Sequence, residues 1–176
     1  QYDLLYIGLA HLPLGQTPRA IQYFEQSLSI ARAIQNPKGE AVSLLNMGDA
    51  LIRMKRFDKA REAVSRCREI FSELGEVEFI WRADLCLGRI SSGQGRHEEA
   101  LLHYERAVDT LESLRSSLTE EGARGTYMQS KMRVYDEFVG LLLILHGKDP
   151  SKGYDRRSLE IFERKQGRSF LEAMGK

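Results

Sequence analysis

Apolar and small residues recur through the first two thirds of the chain at helical spacing, and their arrangement returns every 40 residues. In LLNMGDALIRMKRFDKAREAVSRC, residues 44–67, Gly48, Ala60 and Cys67 stand at offsets of 0, 12 and 19. Upstream the same places hold Gly8, Ala20 and Ser27, and downstream Gly88, Ala100 and Ala107. The spacing predicts a helix starting at Leu4, Leu5 and Ile7 and ending near Leu14 and Gly15. A second follows, with Thr17 as its N-cap, Pro18 as its first helical residue, and an apolar stripe through Ile21, Phe24, Leu28 and Ala31. The next pair carries Leu44, Leu45 and Met47, then Phe57, Val64, Ile70 and Phe71. Gly75 is expected as its left-handed terminator. The third pair runs from about Val77 to Ser92 and from His97 to about Ser116.

Small residues at fixed places have a packing reason. Two helices that cross closely need Gly or Ala at the crossing, because a larger side chain holds their axes apart. One such pair leaves an apolar face bare, so each unit is stable only when stacked on a neighbour. Three units are therefore expected at about 1–36, 37–76 and 77–116. Residues 117–176 are helical but less regular. A helix is expected from Glu120 to His146, with Gly122 and Gly125 obscuring where it begins. A loop at 147–153 and a last helix with Leu159, Ile161, Phe162, Phe170, Leu171 and Met174 follow. Taking Gly140 as the unit glycine and Ser158 as the small residue makes this a degenerate fourth pair, or a cap.

Charge changes the picture little. With 26 basic and 25 acidic side chains the net charge is +1, so bulk electrostatics gives no reason to expect nucleic acid or an anionic membrane as partner. The one locally basic stretch, Arg156, Arg157, Arg164, Lys165 and Arg168, is interleaved with Asp155, Glu160 and Glu163, as on a solvated helix. The longest apolar run, 138–145, is far short of a membrane span, and no membrane contact is expected. QYDLLYIGLA has neither an initiator Met nor a basic leader, and opens inside a unit, so a piece of a longer protein is expected. Cys67 and Cys86 read as buried free thiols, which points to the cytoplasm.

No enzyme, cofactor or metal is expected. Phosphate-binding glycine motifs are missing, and Gly93 and Gly95 read as a helix-to-helix turn. His97 and His103, six apart, lie on opposite sides of a helix, which is poor metal spacing. Glu98 and Glu99 favour the positive end of a helix dipole.

A glycine after an aliphatic residue, a small residue 12 later, an aromatic or branched residue 4 after that and a small residue 3 further on resemble the tetratricopeptide pattern. Here these are Ile7-Gly8/Ala20/Phe24/Ser27, Met47-Gly48/Ala60/Val64/Cys67 and Leu87-Gly88/Ala100/Tyr104/Ala107. The family's early Trp is replaced by Leu4, Leu44 and Asp84, and the spacing is 40 rather than 34, which implies longer helices. The resemblance implies an all-α, right-handed α-solenoid of about four helix-turn-helix pairs whose first helices line a concave groove. On that reading the groove residues are Leu5, Leu9, Leu12, Leu45, Asn46, Asp49, Arg53, Arg82, Leu85, Arg89 and Glu137. They would hold a peptide or protein segment: the leucines through an apolar strip, and Asn46 with the arginines through a carboxylate or backbone groups. The chaperone-binding subtype is not matched, because Leu5 and Leu9 stand where it needs Lys and Asn. The alternatives are a self-associating module, with a homodimer covering the strip, and RNA contact through the last helix.

Finally, VYDEFVGLLLILHG with SLEIFERKQGRSFLEAMGK resembles the segment preceding the caspase-like CHAT domain in bacterial tetratricopeptide–CHAT proteins. Glu163-Arg164, Arg168-Ser169 and Leu171 carry that likeness. It implies the regulatory arm of a larger protease-like protein.

Overall fold

The computed structural model describes residues 1–117 and 131–173, with side chains to 165. Among the described residues there are eight α-helices and one 3-10 turn, and no strand. They are α1 (Tyr2–His11), α2 (Thr17–Ala33), α3 (Pro37–Arg53), α4 (Phe57–Glu73), α5 (Val77–Gly93), α6 (His97–Ser117), α7 (Arg133–Lys148) and α8 (Tyr154–Ala173). Each helix packs on the next, and the pairs follow one another as an α-solenoid requires.

The helices from α2 to α5 are each 17 residues long, and one turn design ends them. Gly15, Gln35, Lys55, Gly75 and Gly95 adopt left-handed φ angles of 52° to 74°, one every 20 residues. Behind each, two hydrogen bonds close the helix, for example Gln35 N–H to Arg32 O at 3.1 Å and Asn36 N–H to Ala31 O at 2.8 Å. This is the Schellman arrangement, which satisfies carbonyls the helix leaves open. Glycine signals it at 15, 75 and 95. Gln35 and Lys55 adopt the same conformation with a side chain, so the sequence showed no glycine there.

Gly8, Gly48 and Gly88 occupy equivalent crossings. A Cβ at Gly8 would strike Phe24, one at Gly48 would strike Val64, and one at Gly88 would lie 3.1 Å from the Tyr104 ring. Each partner sits on the second helix of the same pair, 16 residues on. Buried Ala20, Ala60 and Ala100 complete the three crossings.

Three expectations need correcting. Gln16, not Thr17, precedes α2, and Thr17 and Pro18 are its first two residues. A proline without its N–H is tolerated anywhere in that first turn, and the Gln16 side chain is taken up by His11 Nδ1 at 2.7 Å. Regular helix α1 stops at His11, and a turn over 12–15 reaches Gly15. Gly140 is not a crossing glycine, since a Cβ there would meet nothing within 4 Å. The last pair is held by large side chains instead, Tyr135, Phe138, Leu142, Tyr154 and Ile161. Of the helix expected from Glu120, residues 120–130 lie outside the described residues, as do Met174 and the side chains of Arg168, Ser169, Phe170 and Leu171.

Candidate functional site

On one face of the structure the first helices of three pairs, α3, α5 and α7, are joined by charge. Arg89 on α5 reaches α7 with a two-pronged contact: Nε donates to Glu137 Oε2 and Nη2 to Oε1, both at 2.7 Å. Its Nη1 donates to Asp49 Oδ1 on α3 at 3.1 Å. Asp49 also accepts from Arg53 Nε at 3.1 Å, and Glu137 from Arg133 Nε at 2.9 Å. The result is an alternating chain of three arginines and two carboxylates across three helix pairs.

Burial and charge act in opposition here. Desolvation disfavours the Arg89 cation, but the hydrogen bond to Glu137 and the nearby charges outweigh it and raise its pKa. Desolvation likewise works against the Glu137 carboxylate, yet the Arg89 hydrogen bond and charge, with Arg133, hold it below its ordinary range. Tyr104, behind Glu137, is pushed up by burial and by that carboxylate.

Above this chain lies a depression of about 230 Å³. It is lined by Arg53, Arg82, Arg89, Lys131 and Arg133 with Asp49 as the acidic side chain, and by Trp81 and Leu85. Arg82 is half-buried and makes no hydrogen bond or ion pair to another described residue. Lys131 lies 5.9 Å from the centre of the Trp81 ring. Desolvation lowers its pKa, although Glu78 opposes that shift. The indole N–H of Trp81 is buried and has no acceptor among the described residues. A cation-rich recess over an apolar wall suits a carboxylate or a peptide carbonyl.

The residues singled out from the sequence divide into two groups. Asp49, Arg53, Arg82, Arg89 and Glu137 come together at this recess. Leu45 and Leu85 form part of its apolar wall but, like Leu5, are buried, at 1%, 7% and 4% exposure, so these leucines form no open strip. Asn46 is also buried, and its side chain donates to Val42 O at 2.8 Å. Leu12 is half-buried against Ala20 and Phe24, while Leu9 remains exposed. The physical reason is pitch. A helix that packs on both its pair mate and the next pair buries more than half its circumference, and the positions of Leu5, Leu45, Asn46 and Leu85 fall inside that arc. Trp81, Lys131 and Arg133 were missed: Trp81 stands one residue before the expected groove positions, Lys131 is in the turn before α7, and Arg133 is the first residue of that helix.

The basic stretch of α8 is largely committed inward. Arg157 pairs with Glu105 at 2.8 Å, Arg164 with Asp109 at 3.2 Å, and Lys165 with Asp136. Among the described residues no helix is long and apolar enough to cross a membrane.

Comparison with known proteins agrees with this architecture. Residues 3–73 and residues 85–115 each match a model described as tetratricopeptide repeat. Tetratricopeptide repeat protein 29 of Trypanosoma brucei brucei is 25% identical over 118 residues, 67% of this chain and 24% of that protein. Outer dynein arm-docking complex subunit 4 of Danio rerio is 20% identical over 128 residues, 73% of this chain and 26% of that protein. The chain thus spans about a quarter of the length of the curated relatives it matches.

Proposed function

We propose that this tetratricopeptide repeat chain is a non-enzymatic scaffold that holds an acidic segment of another protein against α3, α5 and α7. Stacked repeats of this kind present extended surfaces for protein contacts. The observation that carries the reading is the recess lined by five basic side chains, of which Arg82 has no partner within the described residues. Arg89 is the frame of the site rather than its grip, because its donors are spent on Glu137 and Asp49. Arg82 and Arg53 supply the contact. The zebrafish relative is by its name a subunit of a docking complex; on our reading this chain likewise docks one protein onto another.

The test is affinity capture with mass spectrometry, comparing the wild type with Arg82→Glu and Arg53→Glu. Helicity should be unchanged and captured partners lost. Equal capture by both variants overturns the reading. The likeness of residues 134–176 to the segment before a CHAT domain supports a regulatory arm in a longer protein, for which a downstream His and Cys pair is the decisive observation. Self-association is the second reading, supported by exposed Tyr2, Tyr6 and Ile7 on α1. Light scattering across a concentration series separates it, since a monomer throughout removes it.

A further inference from the structure

The 20-residue pitch makes the junction of α2 with α4 superimposable in register on that of α4 with α6, yet the two are filled differently. At the second junction Arg61 donates to Glu99 Oε1 at 2.6 Å and Ser91 Oγ at 2.9 Å. Arg68 donates to Asp84 Oδ1 at 2.8 Å, and Asp84 is 1% exposed. The His103 ring lies between, 3.5 Å from Asp84 and 3.8 Å from Glu99. Forty residues earlier the corresponding positions are Ile21 for Arg61, Leu28 for Arg68, Leu44 for Asp84, Leu51 for Ser91, Lys59 for Glu99 and Ala63 for His103.

Every member of the polar plug is therefore exchanged at the first junction, and an imidazole becomes a methyl group. What remains is a cleft of about 400 Å³ between α2 and α4, with Leu44, Met47 and Leu51 of α3 at its floor. That volume lies within the range of ligand sites that bury most of their occupant. Its rim carries Arg32, Arg56, Lys59 and Arg66 against Glu25 and Glu62. Arg32 is taken by Glu40 at 2.9 Å and Arg66 by Glu69 at 3.1 Å. Arg56 and Lys59, at the start of α4, are exposed and form no ion pair among the described residues, and neither do Glu25 and Glu62, which lie further along α2 and α4. This face is distinct from the recess: α3 turns Leu44, Met47 and Leu51 here, and Asp49 and Arg53 there.

We infer that the α2–α4 cleft is a second protein-binding site, which takes a large aliphatic or aromatic side chain from a partner segment carrying a carboxylate on the adjacent residue. The apolar floor receives the side chain, and Arg56 and Lys59 at the start of α4 receive the acid. The inference stands on residues that the groove reading does not use.

The probe is a fluorescein-labelled peptide Glu-Asp-Leu-Phe-Asp-Glu, followed by anisotropy and by chemical-shift mapping. One control has Ser in place of Leu and Phe, and another has Lys in place of the acids. Saturable binding of the first peptide alone is expected, with shifts at Ile21, Met47 and Ala63. Arg56→Glu with Lys59→Glu should weaken it about tenfold or more, Ala63→Leu should fill the cleft and abolish it, and Arg82→Glu should leave it unchanged. Absence of saturable binding overturns the inference, as does binding that shifts residues 82–89 or that survives both rim reversals. The rim residues are exposed, so that double variant decides the matter even if Ala63→Leu fails to fold.

Discussion

Arg89 and Glu137, 48 residues apart in sequence, meet through two hydrogen bonds of 2.7 Å and tie the third helix pair to the last. The pair is about one-fifth exposed on both sides, so removing one partner strands the other away from full hydration.

Arg89→Met alone should therefore destabilise the chain by roughly 2 kcal/mol, below the range for fully buried pairs because some solvent remains. The double variant Arg89→Met with Glu137→Leu should recover most of that loss. Urea unfolding of the two variants checks it, and equal losses would remove the pair from the account.

The lowered Glu137 pKa carries a pH dependence of definite sign. A carboxylate depressed in the folded state contributes stability that is fully present above its unfolded value, about 4.3. That contribution is lost as pH falls through the lowered folded value. Thermal unfolding midpoints of the wild type should fall through this acid window, and Glu137→Gln should flatten the fall. Arg89, already above its ordinary value, adds no change in that range.

The crossing glycines and Gly140 should respond oppositely to alanine. At Gly48 the added methyl strikes Val64, which is branched and fully buried, so Gly48→Ala should cost about 1–3 kcal/mol despite better helix propensity. At Gly140 the methyl meets open space inside a helix, and Gly140→Ala should stabilise by about 0.5–1 kcal/mol. Circular-dichroism melts of both variants give the comparison.

Cys67 and Cys86 should be inert in the folded chain. Burial is the main cause that pushes both thiols up to about 12, far from the thiolate form at neutral pH. A disulfide reagent such as Ellman's should titrate them slowly in buffer and at once in denaturant. Fast native labelling would contradict the packing described for α4 and α5.

Lys55 holds a left-handed φ of 56° with a side chain attached. Lys55→Gly should stabilise by roughly 0.5–1 kcal/mol, because the strain relieved exceeds the chain entropy added. The same change at exposed Lys59, inside α4, should destabilise by about 1 kcal/mol. Equal effects at both positions would sink the turn assignment.

Much of the architecture was legible because its causes are local. Gly8, Gly48 and Gly88 recur since a close crossing excludes a Cβ, and apolar stripes recur at the helical period. Gly140 misled for the same reason: a glycine in phase resembles a crossing, but whether anything stands opposite depends on the neighbouring helix. Leu5 and Asn46 misled because groove positions assigned by phase take no account of how much of a helix its neighbours cover.

The sequence alone determined the all-helical fold, the 40-residue repeat and the nearness of Arg53, Arg82 and Arg89, since all three follow from contacts between residues a turn or a pair apart. The tertiary structure alone decided that Arg89 is bound by Glu137 and Asp49, while Arg82 makes no hydrogen bond or ion pair to another described residue. It also decided that one inter-repeat junction is plugged by charge and the other is an open apolar cleft. Those outcomes turn on a few ångströms of offset between packed helices, and such offsets come from the summed shapes of many side chains.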